Sequence, residues 1–500
     1  MNLAVVHTRA LTGVDALPVT VEVHLSGGLP AMSIVGLAET AVRESKDRVR
    51  AAIVNSQFTF PVSKITVNLA PADLPKTGGR YDLAIALGVL AASGQLPVDA
   101  LCGYEFVGEL ALGGSLRPVR GALPTAVAVA GSARTLIVPE QNAGEAALAG
   151  GANVLQASNL LQVIAHLTRQ RCLPRGRKPH DLPPRGDAQD LEDVRGQHQA
   201  KRALEIAAAG AHNLLLVGPP GTGKTMLASR LIGILPPLDE AEAVESAAIA
   251  SLGGRFDAQR WRQRPFRQPH HTASAVALVG GGSTPRPGEV SLAHQGVLFL
   301  DELPEFSRKV LEVLREPLEN GCIVISRAAG KAEFPARFQL VAAMNPCPCG
   351  FAHDPQHQCR CSPTQIERYL SRLSGPLLDR IDLHVRVPRL SPAEIRDQPP
   401  AGCTSQQVRA RVSAARHRQL KRCGKLNAHL SNAETERHPV HPNALQLLDE
   451  ATHRLQLSPR AYHRTLRVAR TIADLADSEG MIMAHVAEAI ALRGERPTNP

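Results

Sequence analysis

The segment Gly218-Pro219-Pro220-Gly221-Thr222-Gly223-Lys224-Thr225 constrains this chain more than any other. It is entered from the apolar run Leu214-Leu215-Leu216-Val217 and followed by the helix formers Met226, Leu227 and Ala228. A strand that runs into a glycine-rich loop and out into a helix lets successive backbone N–H groups turn inward around phosphate oxygens. Lys224 then reaches the β/γ-phosphates and Thr225 offers a hydroxyl to Mg²⁺. The reading is a nucleoside triphosphate site, with ATP and Mg²⁺ as cofactors, in an α/β unit.

A loop that holds phosphates needs partners before it can hydrolyse them. Gly296-Val297-Leu298-Phe299-Leu300-Asp301-Glu302 reads as a buried strand ending in two acids, with Asp301 lying 76 residues after Thr225. Asp301 is expected to hold Mg²⁺ and Glu302 to polarise the attacking water, because phosphoryl transfer depends on positioning and charge neutralisation. A third strand, Phe338 to Met344, ends at Asn345, whose amide is placed to align that water. Arg380, in a loop-rich stretch, and Arg460, at the start of a long helix, are candidates to touch the transferring phosphoryl group. The commonplace alternative for either arginine is a solvated face or a structural ion pair.

Five hundred residues are too many for one core. The stretch from Cys172 to Asp187 is rich in Pro, Gly and charge and reads as a linker. Ahead of it, short apolar runs such as Ile65–Leu69 alternate with helical patterns such as Asp82–Ala92, an α+β arrangement. Beyond Pro388 the period is mostly helical, with Gln406 to Lys421 strongly basic. Residues 1–170 hold 12 Lys/Arg against 12 Asp/Glu, so the remaining 44 against 34 carry the whole charge of +10. That excess points to a polyanion, DNA being the obvious one, with surplus solubility charge as the alternative. No apolar run spans a membrane and no signal peptide opens the chain, so a cytoplasmic location is expected. The nine cysteines form no disulfide framework. Four of them, Cys347, Cys349, Cys359 and Cys361, lie within fifteen residues with His353 and His357 between. They suit tetrahedral Zn²⁺; free thiols packed in a reduced loop are the alternative.

These motifs, with Gln268-Pro269-His270-His271-Thr272, Pro304-Glu305-Phe306, Asn345-Pro346-Cys347-Pro348-Cys349-Gly350 and Arg460 to Ala473, resemble the AAA+ ATPases. More narrowly they resemble the magnesium-chelatase-like ComM/YifB family, over nearly the whole chain. The resemblance implies a homo-hexameric ring with ATP between subunits, Arg380 acting on the neighbour's ATP and Arg460 as a sensor on lid helices. It implies an insertion over about 248–291 and a β-hairpin over 322–336, with Lys331 at its tip touching DNA. The implied activity is branch migration on single-stranded or branched DNA during natural transformation, alongside recombination proteins. A chelatase motor subunit or a protein-remodelling chaperone is the alternative. Chelatase motors are expected to match only from the linker onward, so the first 170 residues argue against the former.

Residues 1–170 resemble the domain of Lon-type proteases and of RadA recombination proteins through Asp73 to Ala84 and through Val107-Gly108-Glu109-Leu110 with Arg117 to Gly121. Alignment puts the protease serine on Gly78 and its lysine on Thr125, so no peptidase activity is expected. The implied layout is a Lon-like (ribosomal S5 domain 2-like) α+β domain over 1–170 and a linker over 171–190. An AAA+ P-loop αβα core follows over 191–388, and a C-terminal helical lid over 389–500.

Overall fold

A computed structural model describes residues 2–179, 190–282, 285–327, 330–352, 354, 357–391, 394 and 403–494. The first strands are β1 (Leu3–Thr12), β2 (Asp15–Ser26), β3 (Ala31–Val35), β4 (Lys64–Ala70) and β5 (Tyr104–Phe106). A two-stranded ladder of β6 (Glu109–Leu110) and β7 (Leu116–Arg117) precedes β8 (Thr135–Pro139) and β9 (Val154–Ala157). The main sheet has the order β3-β4-β2-β1-β5-β8-β9. Helix α1 (Ser45–Asn55) and helix α2 (Asp82–Ala92) belong to this half, as does α3 (Ala122–Ala130). All eleven residues of α2 are buried. The sequence explains why: Leu83 to Ala92 is apolar on every side, and such a helix must be covered all round.

The second half is built on a five-stranded parallel sheet whose order is Phe266–Arg267, Val297–Leu300, Gln339–Met344, Leu214–Val217 and Leu383–Arg386. Its strands are β10 (Leu214–Val217), β11 (Phe266–Arg267), β14 (Val297–Leu300), β17 (Gln339–Met344) and β18 (Leu383–Arg386). Every residue of β14 and β17 is buried, as expected of strands covered on both faces. Between these strands lie two antiparallel pairs, β12 (Gly280–Gly281) with β13 (Arg286–Pro287), and β15 (Cys322–Arg327) with β16 (Gly330–Pro335). Helices α4 (His198–Gly210), α5 (Lys224–Ile234) and α6 (Glu240–Leu252) belong to this half. They are followed by α7 (Arg315–Asn320), α8 (Pro363–Leu370), α9 (Ser405–Cys423), α10 (Pro442–Leu455), α11 (Pro459–Leu475) and α12 (Met483–Arg493). One apolar cluster joins β10, β14, β17 and β18 to α4, α5, α9, α10, α11 and α12. The molecule is thus a mixed α/β protein with a parallel sheet.

Two local expectations change. Lys331 is one step below the hairpin tip: it pairs with Ser326, while Arg327 and Gly330 form the last pair. The segment expected as linker begins as edge structure. Gly176 N–H donates to Val154 O (2.9 Å), Gln156 N–H donates to Pro174 O (3.0 Å), and Leu173 is buried in the first half. Positions 180–189 of that segment lie outside the described residues.

Candidate nucleotide-binding site

Strand order assembles this site. In the parallel sheet β17 lies between β14 and β10, so the chain leaves all three strands at one rim. That rim receives Asp301 and Glu302 from β14, Asn345 from β17 and the glycine loop from β10. Gly221 and Gly223 have φ of +75° and +86°, a left-handed backbone in which a side chain is strained. Gly218 is pressed against β18's exit, where a Cβ would fall 2.2 Å from Val387 O. Pro219 and Pro220 fill the turn, and Thr222 Oγ1 donates to Pro219 O (3.0 Å).

Lys224 opens α5 and is buried. Its Nζ donates to Gly218 O (2.7 Å), Pro219 O (2.8 Å) and Asn345 Oδ1 (3.0 Å). Burial pushes the ammonium below the usual lysine range, and the nearby Asp301 and Glu302 carboxylates oppose it. Thr225 Oγ1 donates to Asp301 Oδ2 (2.7 Å), which puts the two Mg²⁺ candidates in direct contact. A glycine-lined loop at a helix N-terminus, a lysine held on carbonyls and a hydroxyl–carboxylate pair fit a Mg²⁺–nucleotide.

Glu302 has φ +54° and an exposed side chain, and its Oε2 lies 3.1 Å from His271 Nδ1. Sequence reasoning gave His271 no role. Its only signal was the Gln268-Pro269-His270-His271-Thr272 run. The two arginines are elsewhere. Arg380 precedes β18, at the rim opposite the glycine loop, since Leu383 pairs with Leu214 and Arg386 with Val217. Its buried guanidinium bonds Glu319 and donates to Pro376 O (2.6 Å). Arg460 Nη2 meets the same Glu319 carboxylate at 3.2 Å. The structure therefore joins Arg380 to Arg460 on α7, and brings neither to Lys224 of its own chain.

The cysteines converge. Sγ of Cys347 lies 3.4 Å from that of Cys349 and 3.7 Å from that of Cys359, and Cys349 and Cys359 are 3.6 Å apart. With Cys361 included, all four sulfurs lie within 4.8 Å of one another. Four Zn–S bonds of about 2.3 Å span a tetrahedron with edges of about 3.8 Å, so the donor set fits Zn²⁺. His357 instead stacks on Phe351 (4.9 Å between ring centroids), and His353 lies outside the described residues.

Family models described as magnesium chelatase, subunit ChlI, match residues 190–395 and, for its C-terminal part, 402–493. A third, subunit ChlI of Mg-chelatase, matches residues 21–142. Competence protein ComM of Haemophilus influenzae is 53% identical, over 99% of this chain and 98% of the relative. Uncharacterized protein YifB of Escherichia coli is 54% identical, over 99% and 97%. The chain belongs to the ComM/YifB family of magnesium-chelatase-like AAA+ proteins. Lon protease 2 of Bacillus subtilis is 30% identical over 139 residues, a quarter of each chain. The magnesium-chelatase 67 kDa subunit of Heliobacterium mobile is 25% identical over 225 residues, 39% of this chain and 30% of the relative.

Two further findings bear on function. Thr125 Oγ1 accepts from Arg80 Nη2 (2.7 Å) and donates to Gly121 O (2.8 Å), so the position aligned with the protease lysine holds a buried hydroxyl–guanidinium contact. Burial drives the Arg80 pKa down. The basic helix α9 is not the free cationic face its composition suggests. Arg411 bonds Glu205, Arg418 bonds Asp477 and Arg422 bonds Asp474, while Arg409 and Arg416 donate to Gly233 O and Ala208 O. Among the described residues, no helix is long and apolar enough to cross a membrane.

Proposed function

We propose that the chain is an ATP-hydrolysing, ring-forming DNA motor, a branch-migration helicase that serves recombination during natural transformation. The observation that carries this is the convergence of Lys224, Thr225, Asp301, Glu302 and Asn345 on one rim. Full-length identity of 53% to a relative named for competence supports the biological setting.

Bound ATP and Mg²⁺ supply the phosphoryl group and neutralise its charge. Lys224 exchanges its loop carbonyls for phosphate oxygens, Thr225 and Asp301 hold the ion, and Gly218 to Gly223 offer backbone N–H groups. Glu302 orients the water once His271 releases it, and Asn345 aligns that water. Arg380 acts on the neighbour's nucleotide and Arg460 is the sensor; the Glu319 they share holds both until a neighbour docks. The assembly is a homo-hexamer located in the cytoplasm, Lys331 meets DNA, and Cys347, Cys349, Cys359 and Cys361 hold a structural Zn²⁺. In this reading the first domain is a Lon-like scaffold without peptidase activity that extends to Gly176, the linker follows it, 191–388 is the AAA+ core and 389–500 the helical lid.

Migration of a Holliday junction or fork, with and without ATP, tests the reading; failure to bind DNA at low salt defeats it. The chelatase-motor alternative is favoured by the descriptions of all three matching family models. Hydrolysis indifferent to single-stranded, duplex and branched DNA would favour that alternative. Elemental analysis decides the metal: about one zinc per chain is expected, and Cys359→Ser should lose it.

A further inference from the structure

We infer that the first domain is the seat of the β15–β16 hairpin, fixing its direction and so the coupling of DNA engagement to ATP hydrolysis. That role rests on the DNA-motor reading for its functional readout, and on contacts within the chain for its geometry.

The turn between β1 and β2 sits on β16. Gly13 has φ +61°, and a Cβ there would fall 2.6 Å from Glu333 O and 3.3 Å from Glu333 N. Only a glycine lets the two backbones approach so closely. The flanking Leu11 and Val14 pack against the apolar cluster that holds Ile323, Ile325, Ala332 and Phe334, the inward side chains of the hairpin. An isolated two-stranded hairpin is marginal in water and takes its order from what covers its apolar face. Part of that cover comes from a turn more than 300 residues earlier in the sequence.

A second junction lies alongside. Gly121, with φ +71°, donates its N–H to Ser251 O (3.2 Å) in the last turn of α6. A Cβ on Gly121 would fall 2.5 Å from Leu11 Cδ1 and 3.2 Å from Leu252 Cδ2, so Leu11 touches both junctions. Ala247, Ala248, Phe256 and Trp261 pack against the first domain's cluster around α3. Helix α6 leads into the segment that carries His271 to Glu302. The first domain thus grips the hairpin and the start of the insertion at once, while Lys331 stays exposed on the hairpin's far end. A domain attached only through its linker would have neither contact.

The test compares Gly13→Asn with Gly94→Asn in the full-length chain. Asparagine tolerates a left-handed backbone, so the new side chain is the main change. At Gly13 it meets Glu333; at Gly94, φ +77°, an added Cβ has nothing within 4 Å. Gly13→Asn is expected to keep basal hydrolysis, lose about fivefold of DNA stimulation, and speed amide exchange in 322–335 about tenfold. Gly94→Asn should change none of these. Leu11→Ser, which removes apolar contact without inserting bulk, should reproduce the pattern more weakly. Wild-type exchange and stimulation in Gly13→Asn would overturn the proposal. If DNA stimulates not even the wild type, the motor reading fails, and exchange in 322–335 still decides whether the first domain seats the hairpin.

Discussion

Each half of the molecule contains a lysine beside two glycines at the approach to a helix: Lys76-Thr77-Gly78-Gly79-Arg80 ahead of α2, and Gly221-Thr222-Gly223-Lys224-Thr225, which runs into the first residues of α5. Both lysines are buried, both place Nζ on backbone carbonyls, and burial lowers the pKa of both. They differ in what the sheet brings opposite. Lys224 stands at the exit rim of parallel strands that also deliver Asp301, Glu302 and Asn345. Lys76 is stitched into its loop by hydrogen bonds with Leu37 and Glu39, and its Nζ bonds Pro71 O. Only the second lysine therefore has acids and an amide brought across from it by strand order.

The sharpest way to break that contrast is to remove each lysine. Lys224→Ala is expected to cut ATP hydrolysis by about 10³-fold or more, whereas Lys76→Met should leave kcat within about twofold. A Lys76→Met protein that folds but no longer binds ATP would sink the distinction. Glu302→Gln comes next, with a fall of about 10²–10³ in kcat and retained nucleotide affinity. Equal losses in binding and turnover would instead make Glu302 a ligand of the ground state.

Much of this was legible in the sequence because it is local. The apolar run Leu214–Val217 is β10 residue for residue, and Asp82–Ala92 is α2. Strands that deliver Asp301 and Asn345 just past their ends followed from short buried runs bounded by polar residues. What sequence reasoning missed is non-local. The arginines of α9 read as a free basic face because Glu205 and Asp474 are far away in sequence. His271 gained meaning only once the fold set its ring beside Glu302. Arg380 and Arg460 looked like separate elements until α7 placed Glu319 between them.

The buried ion pairs extend the comparison from chemistry to stability. In the second half Asp382 is buried against Arg464, with Arg464 Nη1 2.5 Å from Oδ1, and also accepts from the Asn213 N–H (2.9 Å). In the first half Asp82 is buried against Arg48 at 2.7 Å and accepts from the Leu110 N–H (3.2 Å). Arg464→Met should cost about 3–5 kcal/mol in urea unfolding, because it removes the main charge that offsets the burial of this carboxylate. Arg48→Met should cost only about 1–3 kcal/mol, because Asp82 can take up a proton. Equal losses would show that the two sites do not differ as their surroundings indicate.

That difference predicts opposite pH slopes, the smallest effect of the set. Burial raises the Asp82 pKa from 3.8 to about 6, since desolvation outweighs Arg48 and the Leu110 N–H. Between those values the native state keeps a proton that the unfolded chain has released. Stability from this group therefore falls as pH rises from about 4 to 6 and is level above. Burial also works to raise Asp382, but Arg464, His212 and the Asn213 N–H outweigh it and hold the carboxyl well below the usual range. Its contribution is full above about pH 4 and drains away as pH falls below the unfolded-chain value. Urea midpoints from pH 3.5 to 7 separate the two. Asp82→Asn should flatten the fall between about pH 4 and 6, a change of about 1–3 kcal/mol, while leaving the acid limb in place. Asp382→Asn should blunt the acid limb and leave the upper slope alone. If Asp82→Asn leaves the upper slope unchanged, the first half holds its aspartate as firmly ionised as the second, and the contrast between their buried pairs is lost.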